Sequence, residues 1–177
     1  KLVDFKGTKI PRGEMEAITE IENEVGDIPV VSDVDTEDFG IAIEGNHVVG
    51  LVLRGKGFTS APESIGQLTK LENLGLRANQ LTTLPDSFGQ LKELKELNLQ
   101  DNLFSTLPNV ICQLTSLKIL YLQENRLTSL PTSIGQLSSL THLNLNENRL
   151  TSLPESTGQL SSLIYLSLNK NQLTLLP

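Results

Sequence analysis

From Val48 onward the apolar positions keep one cadence. Leucines stand two apart at Leu74/Leu76, Leu97/Leu99, Leu120/Leu122, Leu143/Leu145 and Leu166/Leu168, each pair 23 residues after the last. Asn79, Asn102, Asn125, Asn148 and Asn171 hold the same step, as do Pro62, Pro85, Pro108, Pro131, Pro154 and Pro177. A fixed period marks a repeat architecture and takes precedence over any local reading. Within each unit L-x-L alternates inward and outward positions, the period of a strand. One short strand per unit, paired in parallel with neighbours about 4.8 Å away, puts the leucines inside. The asparagine after the strand has an amide that donates and accepts at once. It is expected to bond backbone groups of its own turn and of the next coil, building an asparagine ladder with no capacity left for catalysis. L-P-x-S-I-G-Q-L then returns the chain. Proline lacks a donor and suits a tight helical start, and glycine permits a turn. A returning side bulkier than the strand side bends the stack and makes its sheet concave.

One degenerate unit precedes the five regular ones: Leu51 and Leu53 are in register, but Lys56 replaces the asparagine and Phe58 the next leucine. The unit LxxLxLxxNxLxxLPxSIGQL resembles the leucine-rich repeat family, in the short intracellular form with a proline after the second leucine cluster. The resemblance covers about residues 48–177. It implies an α/β class fold, a right-handed solenoid with a curved parallel sheet on its concave face, and a non-catalytic role in binding proteins or peptides. Small GTPases and signalling enzymes are the partners it suggests.

Residues 1–46 follow another pattern and are expected to form a head on an array of about six 23-residue units, residues 47–177. Residues 1–10 read as a short extended arm. In residues 11–25, PRGEMEAITEIENEV, steps of 3, 3 and 4 put Met15, Ile18, Ile21 and Val25 on one helical face, with Glu14, Glu20 and Glu24 pointing elsewhere. Pro11 suits the helix start and Gly26 its stop. Residues 27–38 read as an acidic linker, and FGIAIEGNHVVGLVL as a hairpin around Gly45-Asn46 whose second strand opens the array. Helix and hairpin are expected to cover the apolar end of the first unit, because terminal units of a stack need a polar outer side. This head is similar to that of Roco-type leucine-rich repeat proteins, which join such an array to a GTPase module. At the other end the array stops at LTLLP, within a unit, and Thr157 stands where Ile65, Ile111 and Ile134 stand in others. The favoured expectation is a fragment of a longer chain, with an end covered by a second molecule as the alternative.

Composition narrows the function classes. Net charge is −7, and it is uneven: residues 1–46 hold 4 Lys/Arg and 12 Asp/Glu, net −8, and residues 47–177 hold 10 and 9, net +1. No basic stripe offers itself to a phosphate backbone, so a nucleic-acid partner is not expected. The acidic head reads as a solvated surface or as a docking surface for a basic partner. No run of 18 or more apolar residues provides a membrane-spanning helix. Cys112 is the one cysteine, and no asparagine begins an Asn-x-Ser/Thr acceptor, which favours a reducing cytoplasm. Cys112 takes the glycine place of SIGQL and reads as a small buried residue.

Repetition leaves only the outward strand positions free to vary, and function is expected there. Ile119, His142 and Tyr165 fall on adjacent strands just before the first leucine, with Tyr121 beside them between the leucines. Such a cluster reads either as a binding hot spot, since rings bury much area at little entropic loss, or as packing across strands. Asp101, Glu124 and Glu147 line one rim, and Arg54 and Arg77 lie toward the head. A partner is therefore expected to bring an apolar knob and a basic flank. The expected module is non-enzymatic; the alternatives are a targeting arm of a larger enzyme, a Roco GTPase or ubiquitin ligase, and a surface or adhesion repeat. GLVLRGKG, residues 50–57, nearly spells a phosphate-binding loop, but Gly57 replaces the magnesium-holding hydroxyl and the stretch reads as a strand. His47 and His142 are the only histidines, without metal-ligand spacing, and the serines of the returning segments read as solvated. No catalytic residue, metal or cofactor is expected.

Overall fold

The computed structural model describes residues 1–32 and 39–175. In chain order the elements are β1 (Leu2–Phe5), β2 (Thr8–Pro11), α1 (Arg12–Val25), β3 (Val30–Val31), β4 (Gly40–Glu44), β5 (His47–Val52), β6 (Asn73–Gly75), β7 (Glu96–Asn98), β8 (Ile119–Tyr121), β9 (His142–Asn144) and β10 (Tyr165–Ser167). Strands β5 to β10 pair in parallel, each 23 residues out of step with the next, as in Leu97↔Leu120. GLVLRGKG begins inside β5, in register with β6, so it is strand and turn rather than a phosphate loop. Each return is a short 3-10 turn entered from a proline: Glu63–Gln67, Asp86–Gln90, Asn109–Gln113, Thr132–Gln136 and Glu155–Gln159. The paired leucines of β6 to β9 are fully buried between the two sides.

The asparagine ladder forms, but it points the other way from the expectation. Asn125 reaches back, not forward: its Oδ1 accepts the Phe104 N–H at 3.1 Å, and its Nδ2 donates to Leu99 O at 2.9 Å and Leu122 O at 3.1 Å. Asn79, Asn102, Asn148 and Asn171 repeat the arrangement. The degenerate first unit survives without its own asparagine because Asn79 accepts both the Lys56 and Phe58 N–H groups. The Lys56 ammonium instead lies 3.5 Å from the centroid of the Phe39 ring.

Leaving each strand the chain turns sharply, at Gly55, Ala78, Asp101, Glu124, Glu147 and Lys170, all with φ between 55° and 65°. That left-handed turn aims the N–H of Asp101 at Gln123 O and that of Glu124 at Asn146 O, both at 3.0 Å. The acidic rim is therefore a row of turn residues whose backbones stitch neighbouring coils.

The head departs from the sequence reading in three ways. Residues 1–10 are not an extended arm. Strands β1 and β2 pair antiparallel across a Lys6-Gly7 turn, with φ of 50° and 84°. Lys6 then ties this hairpin to the end of α1, bonding Glu22 and Asp27 at 2.6 Å each. Burial pulls its pKa down, but the hydrogen bonds and charges of Asp27 and Glu22 outweigh that, and the net shift is upward. The reading of residues 27–38 as linker also fails at its start: Ile28 is fully buried and β3 pairs in parallel with β4. Residues 33–38 lie outside the described residues. The β4–β5 hairpin does turn at Gly45-Asn46, both with positive φ, as expected.

Third, Glu14 does not point outward. It is 4% exposed, inside the interface between α1 and β5. One carboxylate oxygen accepts the Val48 N–H at 2.8 Å, and the other stands 2.6 Å from His47 Nδ1. A buried carboxylate needs such partners, and here they lock the head onto the first strand of the array. Glu14→Gln keeps an acceptor for Val48 but loses the charge assistance. It is expected to lower unfolding stability by about 1 kcal/mol, measured by urea titration, while Glu20→Gln on the exposed face changes nothing measurable. Equal effects at both positions would refute the lock.

On the returning side Cys112 is buried, as expected, and burial pushes its thiol pKa up against the opposing hydrogen bond of Ser133. The serines there are not all solvated: the hydroxyls of Ser64, Ser87 and Ser156 are buried without a protein partner, as is that of Thr157. The S-x-G turn presses each serine against the neighbouring coil, which a hydropathy pattern does not show.

Candidate interaction surface

The strand face carries the expected cluster. Ile119 on β8 pairs with His142 on β9, and His142 with Tyr165 on β10. The His142 and Tyr165 rings stack, with centroids 5.9 Å apart and planes 28° from parallel. Thr141 Oγ1 lies 2.9 Å from His142 Nδ1 and helps hold the ring in place. Tyr165 is 48% exposed, and Ile119 and Tyr121 are half-buried. Neither tyrosine is tucked among the inward leucines. At the open edge of the sheet Ile164 and the inward-register Leu166 are also exposed, 80% and 38%.

The rim is partly neutralised. Glu147 pairs with Lys170 at 2.7 Å, and that hydrogen bond, with the charge of Glu147, raises the Lys170 pKa. Glu124 accepts from Gln100 Nε2, and Gln100 Oε1 from Gln123 Nε2, each at 2.7 Å. Asp101 stands exposed one turn toward the head. Arg54 and Arg77 follow β5 and β6, on the head side of the cluster. β6 is two strands from β8, about 10 Å at ordinary strand spacing. Between them and the head the strand face is low: Val52 is fully buried against Ala42, Val31 and Val49, and Gly50 and Gly75 carry no side chain. The two glycines at outward strand positions, Gly50 and Gly75, were the available signal for that floor.

Beside the β4–β5 turn lies an open polar cleft of about 370 Å³, lined by Glu44, His47, Lys70, Glu72 and Glu93 among others. Glu72 is held by Lys95 at 2.6 Å, and Glu93 lies 3.5 Å from Lys70. Among the described residues no three His, Cys, Asp or Glu side chains converge to hold a metal, and no helix is long and apolar enough to cross a membrane.

The Leucine rich repeat family profile matches residues 50–104, 69–127 and 115–173, overlapping through most of the array. The chain belongs to the leucine-rich repeat family. Its solved relatives include a leucine-rich repeat protein of Leptospira interrogans, LIC12759, 36% identical with a TM-score of 0.68 over 77% of this chain. The chain spans 38% of that protein's length. The ectodomain of the receptor kinase SOBIR1 from Arabidopsis thaliana is 26% identical with a TM-score of 0.70, covering 94% of this chain and 96% of that one. The plant peptide hormone receptor RGFR1, solved in complex with RGF2, is 27% identical with a TM-score of 0.57 over 81% of this chain and 23% of its own. Among curated proteins nothing matches the chain. The leucine-rich repeat solenoid is in general a frame for protein–protein interaction, and members of the family are generally non-catalytic binding modules.

Proposed function

We propose that this leucine-rich repeat chain binds a protein or peptide on its concave strand face, anchored by Ile119, Tyr121, His142 and Tyr165. The observation that carries this reading is the exposed His142–Tyr165 stack on a sheet whose interior is fixed by leucines and asparagines. Rigid aromatic side chains lose little freedom on binding and make good anchors. The exposed acids of the rim, Asp101 and Glu124, steer a partner with a basic flank, and Arg54 and Arg77 contact its far side. By family likeness the partner is a signalling protein, with a small GTPase as one class, met in the cytoplasm. Likeness to a receptor ectodomain favours a second reading, a surface-exposed repeat. In either setting the module is equally suited to act as the targeting arm of a larger enzyme.

The test compares pull-downs with wild type and with a Tyr121→Ala/Tyr165→Ala double variant. A partner held by these anchors is expected to bind the variant about 30-fold more weakly, as loss of a hot spot of about 2 kcal/mol requires. Recovery of the same partners with equal affinity by both proteins would show that the cluster is cross-strand packing only. Imaging the tagged chain in its native cell, with cytoplasmic and surface-accessible fractions separated, decides between the two settings.

A further inference from the structure

Beside the aromatic cluster, toward the acidic rim, the side-chain amides of Asn144 and Asn146 have a fixed polarity. The Asn146 N–H donates to Asn144 Oδ1 at 3.1 Å. Asn146 Oδ1 in turn accepts from Ser167 Oγ and from the Asn169 N–H, both at 2.7 Å. A backbone N–H only donates, so in both residues the oxygen must be the end turned inward. The amide nitrogens are the poles left over, and no described protein atom accepts from them. Asn98 on β7 repeats the pattern, its Oδ1 accepting the Gln100 N–H at 3.0 Å, but at 3% exposure it is out of reach. Asn144 and Asn146 are half-buried and reachable.

Their position gives this polarity a consequence. Asn144 pairs with Tyr121 on β8 and lies two residues from His142, so a partner seated on the cluster covers it. A donor covered without an acceptor loses its water and gains nothing, so the partner must bring acceptors to this place. A carboxylate fits poorly beside the exposed Glu124 and Glu147, of which only Glu147 has a lysine partner. A neutral carbonyl carries no such penalty. Asn144 ends β9 and Asn146 follows two residues on, about 7 Å away along an extended chain, the spacing at which such a chain turns alternate carbonyls to one side.

We infer that Asn144 and Asn146 are specificity-determining donors for an extended peptide segment, which turns backbone carbonyls toward them while an apolar side chain rests against His142 and Tyr165. The inference rests on the concave-face reading and narrows it to a linear segment with acceptors in register.

The experiment selects linear peptides from a random display library on the whole protein and measures their affinity for three variants. Asn144→Asp/Asn146→Asp keeps the inward accepting oxygens, so it should remain folded at the assay temperature, with a melting temperature somewhat lowered by repulsion from Glu124 and Glu147, while both outward donors become acceptors. The selected peptides are expected to bind it about tenfold more weakly or worse, and to do so equally at about 0.15 M and about 0.5 M salt. The Asn144→Ser/Asn146→Ser variant, neutral and too short to reach, is expected to lose a similar factor. Weakening of the Asp variant that disappears at high salt, or a Ser variant that binds like wild type, overturns the donor role. Peptides that lose affinity for Tyr121→Ala/Tyr165→Ala but not for either asparagine variant overturn this inference and leave the concave-face reading standing. Peptides indifferent to all three variants, or a library that yields no binder, overturn it as well.

Discussion

Asn125→Leu is expected to lower the free energy of unfolding by about 3 kcal/mol, the upper end of the range for a buried polar group stripped of its partner. The geometry says which partner is lost. Leu99 O keeps the Asn102 amide and Leu122 O keeps the Asn148 amide, because each of these two carbonyls is shared by two asparagines. The Phe104 N–H has no such reserve: Asn125 Oδ1 is its acceptor, and Phe104 is fully buried. Leucine keeps the branched skeleton of asparagine and is the larger of the two, so no cavity opens and the orphaned donor dominates what is measured. Asn171→Leu supplies the comparison. Asn171 accepts the Leu150 N–H in the same way but is only half-buried at the end of the stack, where water replaces part of what is lost. Urea titrations should therefore show a deficit at Asn125 at least twice that at Asn171. Equal deficits would mean that the ladder contributes through volume rather than through hydrogen bonds.

The same asparagines show what was legible in the sequence. Their 23-residue step and the L-x-L pairs located every strand of the array, because a two-residue period leaves one choice of inward face. The direction of the ladder was not legible, since an amide after a strand reaches either neighbour equally well on pattern alone. In the head, hydropathy assigned Glu14 outward although it stands three and four residues before Ala17 and Ile18, the spacing of the buried face. Its partners His47 and Val48 come more than thirty residues later, beyond any helical window. The Lys6-Gly7 turn went unread because the strands beside it are short and their partner is only each other. At the candidate site, period alone placed Tyr121, His142 and Tyr165 on one face. The outward polarity of Asn144 and Asn146 required knowing which backbone groups their oxygens already serve.

The glycines of the returning turns set the approach of neighbouring coils, and a single methyl group is expected to expose that dependence. A Cβ on Gly66 would fall 2.5 Å from Ser87 O and 2.6 Å from Ser87 Cβ, well inside contact distance. Both atoms belong to the next coil's own turn, so relief requires two coils to part along their shared sheet. Gly66→Ala should lower stability by about 3 kcal/mol, the upper end of what overpacking usually costs. At Gly89 the nearest atom, 2.7 Å away, is Gln113 Oε1, the tip of a flexible side chain that can swing aside. Gly89→Ala should cost about 1 kcal/mol. At Gly158 nothing lies within 4 Å, and alanine there reduces only the freedom of the unfolded chain. Gly158→Ala should be neutral or stabilising by a few tenths, roughly 0.4 kcal/mol. Chemistry and backbone role are the same at all three positions, so helix propensity predicts one common shift; Gly66 and Gly89 are both buried, so only coil-to-coil contact sets those two apart. Melting temperatures that fall in another order, or together, would mean that the stack adjusts its spacing freely, and the rigidity on which a preformed binding face depends would have to be abandoned.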